Sequence, residues 1–444
     1  AAAPALAHPP LAGRAGVDGT AGWWTHAAPW NAPSTPAATR SDAGRDRDDG
    51  DADAAASRSA DATARDRGGP GDHMIPLNAP DFGALEEQYV LDALRSGWVT
   101  TGPYVERFER AFAAFTNRRH AVACSSGTAA LWLALMALRL PQGVPVLTQT
   151  YTCGSVLNAA LRATAASPLV VDVDEDTWGM RADHAEEIFQ KQRVSALSFA
   201  HIYGAPCRDT ADLLGLARTY GVPVVEDASE AHGAAINGAP AGSFGEISIF
   251  SCRGEKVVGG GQLGVAVTDD AALARRVRQF SENGLPAKTV RYWSTVPGLN
   301  CQPAHLNAAL ACAQLERIKE LLASRRAIHD GYVARLAGYA GLRCQRARPS
   351  DDSAWWLTGV LLEPAFTAML PQDLGAALAE RGIQTRPGFY GLHRLPHAGD
   401  VGPGPWPMAD RLLERLLILP SGPTVTPEQQ DEVVEAIMEI TGRA

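Results

Sequence analysis

The sequence predicts an α/β protein, with a large domain built on a mainly parallel seven-stranded sheet and a smaller α+β domain at the C-terminus. Short apolar runs of strand length alternate with amphipathic helical patterns through the middle of the chain, as the crossover connections of a parallel sheet require. After residue 302 the pattern becomes helical and then mixed, which indicates the second unit.

The composition limits the class of protein. The chain has 444 residues, more than the roughly 250 to 300 at which a single core stops growing. A net charge of -9 argues against a nucleic-acid partner, because phosphate binding needs clustered positive charge. The seven cysteines form no C-x-x-C pair and no cluster with histidine, so we expect no disulfide framework, no metal site and a cytoplasmic location. The chain shows no signal peptide and no apolar run of about 18 residues, so no membrane partner is expected.

Three segments follow from these patterns. Residues 1–73 consist largely of Ala, Gly, Pro, Asp, Arg and Ser, which cannot bury enough apolar surface to offset the entropy of ordering. We therefore predict a disordered extension over 1–73. A large cofactor-binding domain with an N-terminal helical segment is predicted over 74–320, and a small domain over 321–444.

The individual elements are predicted from apolar periodicity. Phe108, Phe112 and Phe115 repeat at helical spacing and indicate a helix that faces the core. The seven strands of the large sheet are predicted at 120–124, 144–147, 168–173, 194–199, 222–225, 247–250 and 264–267. Helices are predicted at 129–138 and 209–220, with a long helical stretch over 306–336. In the small domain, strands are predicted at 355–362 and 383–385, and helices at 373–381, 408–416 and 427–440.

Polar side chains follow the predicted strands, where the ligand crevice of an open parallel sheet lies. Gly127 and Thr128 come after the first strand and open a helix, so their backbone N–H groups could bind a phosphate. The same residues could simply form an ordinary helix N-cap. Tyr151 follows the second strand and offers a flat face that could stack on a cofactor ring, although an aromatic residue there also suits plain surface packing.

An acid and a lysine complete this set. Asp227 ends the fifth strand, and Ser251 and Lys256 lie just beyond the sixth. A pyridoxal phosphate enzyme needs a lysine to form a Schiff base and an acid to keep the pyridine nitrogen protonated. Asp227 could instead cap a helix, and a loop lysine is usually solvated. The four features in this order, each just past a strand end, favour pyridoxal phosphate chemistry.

At these residues the sequence resembles the DegT/DnrJ/EryC1/StrS family of pyridoxal phosphate-dependent sugar aminotransferases, from about Ile75 to the C-terminus. The matching segments are LRSGW at 94–98, TGP at 101–103, SGTAAL at 126–131, EDASEAHG at 226–233, GLN at 298–300 and AQLE at 313–316.

The resemblance implies the aspartate aminotransferase fold, which is fold type I of the pyridoxal phosphate enzymes, and a role for each matching residue. It implies Lys256 as the Schiff-base lysine, Asp227 as the pyridine partner, Tyr151 as the stacking residue, Gly127, Thr128 and Ser251 as the phosphate site, and Glu230 near the phenolic oxygen. Asn300 matches a residue that reaches the phosphate of the neighbouring subunit, so a homodimer with shared active sites is implied.

The resemblance also implies a substrate class. A lysine at position 256 indicates an aminotransferase rather than a dehydratase, with glutamate as amino donor and a nucleotide-linked 4-keto-6-deoxyhexose as acceptor. Candidate substrate contacts are Arg386, Tyr390 and His393. A keto-cyclitol, an aminoshikimate-type acceptor and a catalytically silent regulator remain alternatives, because Gln262-Leu263 and Gln302 depart from the family pattern.

Overall fold

The computed structural model describes residues 74–286 and 292–443, so the predicted disordered extension lies outside the described residues. The helices are α1 (Ala84–Arg95), α2 (Pro103–Phe115), α3 (Gly127–Ala137), α4 (Ser155–Thr164), α5 (Ala182–Lys191), α6 (Thr210–Tyr220), α7 (Ala271–Ser281), α8 (His305–Glu316), α9 (Ile318–Leu336), α10 (Pro371–Glu380), α11 (Pro407–Arg415) and α12 (Pro427–Ile440). The strands are β1 (His120–Cys124), β2 (Val146–Gln149), β3 (Leu169–Val171), β4 (Ala196–Ala200), β5 (Val224–Asp227), β6 (Ala235–Ile236), β7 (Ala239–Pro240), β8 (Ile247–Ser251), β9 (Gly264–Thr268), β10 (Leu342–Cys344), β11 (Asp351–Asp352), β12 (Thr358–Leu362), β13 (Arg386–Pro387) and β14 (Leu416–Leu419).

The central sheet has seven strands in the order β1-β9-β8-β5-β4-β2-β3. The pairs from β8 to β3 are parallel, and only β9 runs antiparallel to both of its neighbours. The predicted fold class, a mainly parallel seven-stranded sheet, is therefore confirmed. The strands begin up to two residues later than predicted at β2, β4 and β5, because the apolar run in each case starts before the ladder does.

Both faces of this sheet are covered by helices. In β9, Val265 and Val267 face a core formed with α2 and α8, whereas Ala266 faces a core formed with α3, α4 and α7. This alternation is the period of two that a strand buried on both sides shows. Phe108 and Phe112 of α2 are fully buried, which confirms the predicted core face.

The strand register brings the carboxyl ends of three strands together. Gly264 of β9 pairs with Cys124 of β1 on one side and with Ser251 of β8 on the other. Asp227 of β5 pairs with Ile249 of β8. The loops that follow β1, β5 and β8 therefore meet at one edge of the sheet.

A second, antiparallel sheet with the order β10-β12-β14-β13 lies in the C-terminal part and packs against α9, α10 and α12. A small three-stranded sheet pairs β11, β6 and β7. The predicted domain boundary at residue 320 falls inside α9, and a bridge joins Ile75 to Ile383. The described residues belong to one compact unit, so the division into 74–320 and 321–444 stays a prediction.

The helical stretch predicted over 306–336 is confirmed as two helices, since Arg317 separates α8 from α9. Other local predictions in the C-terminal part are wrong. The strand predicted at 383–385 is only an isolated bridge at Ile383, and strand β13 follows it. The strand predicted from 355 begins at Thr358, because Trp355 has a positive φ of 45°. The run Leu416–Leu419 is a fully buried strand between β12 and β13, and an unbroken apolar run does not show helical or strand periodicity. Within the described residues, none of the helices combines the length and apolar character that crossing a bilayer requires.

Candidate active site

A cleft of about 420 Å³ opens at the carboxyl ends of the central strands. Its walls come from the loops after β1, β2, β4, β5 and β8 and from two C-terminal segments. It is lined by Ser126, Gly127, Thr128, Leu131, Thr152, Cys153, Ser155, Ala200, His201, Ile202, Asp227, Ser229, Glu230, Ile249, Ser251, Arg253, Glu255, Lys256, Gln262, Trp356, Arg386 and Phe389. Seven of the predicted site residues are in this list: Gly127, Thr128, Asp227, Glu230, Ser251, Lys256 and Arg386.

The N-terminus of α3 forms one end of the cleft. The Ser126 hydroxyl caps the helix by accepting the N–H of Ala129 at 3.1 Å, and Thr128 donates to Ser155 at 2.9 Å. A Cβ atom on Gly127 would lie 2.6 Å from Cβ of Ser251, so glycine allows the helix start to approach β8. The free N–H groups, the positive end of the helix dipole and two hydroxyls suit a phosphate.

Asp227 supplies a buried carboxylate in the same cleft. Its Oδ1 accepts the N–H of Ser229 at 3.0 Å. Burial raises the pKa of Asp227 above its usual value, and the carboxylate of Glu230 acts in the same direction, while Ser229 and Lys256 oppose the rise. A cationic partner on the open side of the carboxylate would favour its ionised form.

The neighbouring Glu226 points into the protein and fixes the end of β5. It accepts hydrogen bonds from Nε2 of His201 at 3.0 Å, from the N–H of Gly242 at 2.6 Å and from Phe244 at 2.9 Å. Burial opposes its ionisation, but these donors outweigh burial and lower the pKa of Glu226. His201 accepts the N–H of Cys207 on Nδ1 at 2.8 Å, so Nε2 is the nitrogen that carries hydrogen.

Lys256 is held between an acid and an aromatic ring. Its Nζ lies 3.2 Å from Oε1 of Glu230 and 3.3 Å from the centroid of the Trp356 ring. The second carboxylate oxygen of Glu230 accepts the N–H of Tyr203 at 2.7 Å. The indole N–H of Trp356 donates to the carbonyl of Glu255 at 2.7 Å. The lysine amine is thus placed in the cleft by side chains that are themselves fixed.

Tyr151 is not among the residues that line the cleft. It is fully buried, and its hydroxyl lies 3.0 Å from that of Tyr203 and accepts the N–H of Phe389 at 3.1 Å. A Cβ atom on Gly388 would lie 2.4 Å from the Tyr151 hydroxyl, so glycine lets the C-terminal segment close over it. Tyr203 and Phe389 pack against the ring of Tyr151, and its stacking on a cofactor ring stays a prediction.

Three further predicted residues also lie apart from the cleft lining. Both ring nitrogens of His393 are engaged, with Thr150 at 2.6 Å and with Asp410 at 2.9 Å, and its contact with substrate stays a prediction. Tyr390 is exposed, and its contact with substrate stays a prediction. Asn300 is exposed and does not line its own chain's cleft.

Four of the lining residues that the sequence interpretation missed show what could and could not have been found. His201 and Cys153 follow β4 and β2, so the rule that selected Asp227 could have found them. Trp356 and Phe389 come from the C-terminal part of the chain, and no local pattern indicates that they reach this cleft. Among residues 74–286 and 292–443, no group of three His, Cys, Asp or Glu side chains is arranged to hold a metal ion.

These residues fit pyridoxal phosphate. One cleft combines a helix start suited to a phosphate, a buried acid suited to a cationic partner, and a lysine amine at the carboxyl edge of a mainly parallel sheet. Together, the fold and the cleft define a fold type I pyridoxal phosphate enzyme.

Comparisons with known proteins give the family. A model of the DegT/DnrJ/EryC1/StrS aminotransferase family matches residues 80–438. GDP-perosamine synthase of Escherichia coli O157:H7 is 33% identical over 368 residues, covering 82% of this chain and 98% of that protein. The solved structure of DesV from S. venezuelae is 31% identical with a TM-score of 0.74, covering 81% of this chain and 95% of that one. DesI, solved in the presence of its TDP-sugar product, is 28% identical with a TM-score of 0.76, covering 84% of this chain and 94% of that one.

The chain belongs to the DegT/DnrJ/EryC1/StrS family and is a pyridoxal phosphate-dependent aminotransferase.

Proposed function

We propose that this enzyme moves an amino group from glutamate to a nucleotide-linked 4-keto-6-deoxyhexose. The observation that carries the proposal is the presence of Lys256 and Asp227 in one cleft beside a phosphate-binding helix start. The acceptor class is supported by similarity to a GDP-perosamine synthase and to a structure that contains a TDP-sugar product.

Each residue then has a definite task. When bound, pyridoxal phosphate supplies a ring that accepts electrons and carries the amino group between the two substrates. Gly127, Thr128 and Ser251 would hold its phosphate, and Asp227 would accept a hydrogen bond from its ring nitrogen. Glu230 and Trp356 orient Lys256, whose Nζ moves the proton at the α-carbon of the amino donor.

The amine transfer can be tested directly. The loaded enzyme is incubated with nitrogen-15-labelled glutamate and, in separate reactions, with GDP- and TDP-linked 4-keto-6-deoxyhexoses and a keto-cyclitol. We expect the label in a sugar amine, together with 2-oxoglutarate, and no label with Lys256→Ala. Label only in the cyclitol would replace the proposed acceptor. A cofactor spectrum that no amino donor changes would favour a silent regulator.

We also propose a homodimer that works in the cytoplasm. Trp98, Trp293 and Leu299 expose large apolar side chains, and Asn300, next to Leu299, does not line its own chain's cleft. This placement suits a residue that completes the cleft of a second copy. The seven unpaired cysteines suit a reducing compartment. Mixing inactive Lys256→Ala with inactive Asn300→Ala should restore part of the activity, because a mixed dimer contains one intact site.

A further inference from the structure

Arg325 is a buried cation in helix α9. Its side chain is buried, and no ion pair to it occurs in the part of the chain that the structure describes. The next residue, Arg326, is exposed and lies 3.6 Å from the carboxylate of Asp352. Burial lowers the pKa of Arg325 to about 9, so its guanidinium is still charged at neutral pH. An unpaired buried charge is unfavourable, and an apolar side chain could fill this position, so the hydrogen bonds of Arg325 are what its charge provides.

The guanidinium joins three separate segments through uncharged oxygens. Its Nη1 donates to the backbone carbonyl of Trp356 at 2.7 Å and to that of Ser421 at 3.1 Å. Both Nη1 and Nη2 lie 3.2 Å from the side-chain oxygen of Asn78. Hydrogen bonds from an ionised donor are stronger than those between neutral groups. Arg325 therefore restrains Trp356, just before strand β12, and Asn78, in the segment before helix α1.

Asn78 and Trp356 meet again at a single backbone carbonyl. Nδ2 of Asn78 and the indole Nε1 of Trp356 each donate to the carbonyl of Glu255 at 2.7 Å. Glu255 directly precedes Lys256, in a turn that belongs to no helix or strand. Because no sheet ladder fixes this carbonyl, the two side-chain donors set the position of the backbone that carries the lysine.

The ring of Trp356 also contacts the lysine amine, since Nζ of Lys256 lies 3.3 Å from the ring centroid. Trp356 is thus held at its carbonyl by Arg325 and at its indole N–H by Glu255. A lysine side chain is long and flexible, so a fixed contact surface keeps its amine in one part of the cleft. A reaction at that amine depends on this placement, because misplaced groups react slowly.

We propose that Arg325 is a positioning residue for Lys256 and that it acts through Trp356 and Asn78. Arg325 is not among the residues that line the cleft. The proposal rests on Lys256 as the lysine that bonds to the cofactor, and it is independent of the amino donor and acceptor. Loss of Arg325 should leave the phosphate end of the cleft intact and slow the reaction of the amine. A role in stability alone would leave that reaction unchanged.

The test follows the yellow species that forms when pyridoxal phosphate is added to cofactor-free protein. In this step Nζ forms a C=N bond with the aldehyde carbon, and the aldehyde oxygen leaves as water. Stopped-flow absorbance at increasing cofactor concentration separates the half-saturation concentration from the limiting rate. We expect Arg325→Met to lower the limiting rate tenfold or more and to change the half-saturation concentration less than twofold. Arg325→Lys should lose less, and the control Arg326→Met should stay within twofold of the wild type.

A second set of variants tests the route. Asn78→Ala combined with Trp356→Phe removes both donors to the Glu255 carbonyl and keeps an aromatic face for the amine. This pair should lower the limiting rate fivefold or more. Adding Arg325→Met to the pair should change the rate less than twofold further, because the groups through which Arg325 acts are already gone. The pair and Arg325→Lys decide the question if Arg325→Met does not fold.

The proposal would be overturned by a wild-type limiting rate in the Arg325 variants or in the Asn78→Ala, Trp356→Phe pair. A tenfold effect of Arg325→Met that persists in the background of the pair would also overturn it. Urea denaturation is measured in parallel, and variants that are less stable but react at the wild-type rate would restrict Arg325 to a structural role. A wild type that forms no yellow species would overturn the role of Lys256 itself, and the proposal with it, so the two failures are distinguishable.

Discussion

Lys256 and Glu230 form a buried ion pair in which Nζ lies 3.2 Å from Oε1, with each side chain only 9% exposed. The other oxygen of Glu230 accepts the N–H of Tyr203 at 2.7 Å, so the acid is held in place by a contact that does not involve the lysine. Lys256 is therefore positioned by a residue 26 positions earlier in the chain.

The ion pair predicts an energetic coupling between Glu230 and Lys256 that disappears when the cofactor binds. In protein free of cofactor, Glu230→Ala should lower the free energy of unfolding by roughly 3 kcal/mol, because it leaves a buried ammonium unpaired. The double-mutant cycle with Lys256→Ala should give a coupling of about 1–3 kcal/mol, measured by urea denaturation. A coupling near zero would show that the pair does not hold the lysine.

The raised pKa of Asp227 predicts a pH-dependent difference in stability. A carboxyl whose pKa is higher in the folded than in the unfolded state stabilises the fold at low pH and loses that contribution as the pH rises through the folded pKa. The side chain of Asp227→Asn stays neutral at every pH, so the variant does not lose this contribution to stability. Without cofactor, the free energy of unfolding of the variant should therefore rise relative to that of the wild type from about pH 4 upward. The difference should reach about 1 kcal/mol at neutral pH.

Loading the cofactor should reverse this order, because the ring nitrogen then gives the carboxylate a cationic partner. Chemical denaturation of both proteins across the pH range, with and without pyridoxal phosphate, provides the comparison. The assigned environment of Asp227 would be contradicted if, without cofactor, the wild type became more stable relative to the variant as the pH rises.

Tyr151 is predicted to act in packing. Tyr151→Phe removes the acceptor of the Phe389 N–H and the partner of Tyr203, so the free energy of unfolding should fall by about 1 kcal/mol. The absorbance spectrum of the bound cofactor should not change, because the ring of Tyr151 lies outside the cleft lining. A changed spectrum with unchanged stability would instead place Tyr151 against the cofactor.

Cys153 is predicted to be the most reactive thiol. It is exposed and lines the cleft, whereas Cys124, Cys207 and Cys252 are buried and burial raises their pKa. The thiolate is the reactive form, so iodoacetamide should alkylate Cys153 first, and bound cofactor should slow this at least fivefold. Peptide mass spectrometry over time measures both effects, with Cys153→Ala as control. Equal rates with and without cofactor would argue that the thiol faces away from the bound ring.

Much of the large domain could be predicted from the sequence because its determinants are local. Each central strand is a short apolar run, and a parallel sheet collects its strand ends at one edge, which leads from residue order to the grouping of Gly127, Asp227 and Lys256. Arg386 was reached only through the family resemblance. Trp356, which lies against Lys256, belongs to the C-terminal part of the chain, and local patterns do not show where such a segment packs.

The position of Tyr151 outside the cleft lining has a different physical origin. The residue lies two positions beyond the end of β2, in a loop where the alternation of side chains no longer holds. The loop directs Tyr151 into the protein and leaves Cys153 on the cleft. Strand β14 was missed because an apolar run of four residues fits a buried helix end as well as a buried strand.

The central claim is that Lys256 carries pyridoxal phosphate while Asp227 faces the ring nitrogen. The most direct test is borohydride reduction of the loaded protein, followed by peptide mapping of the fixed cofactor. The chain contains three other lysines, Lys191, Lys288 and Lys319, so the attachment point can be read without ambiguity. We predict the cofactor on the peptide that contains Lys256, and no fixed cofactor in Lys256→Ala. Attachment at another lysine, or an equal yield in the variant, would contradict the account.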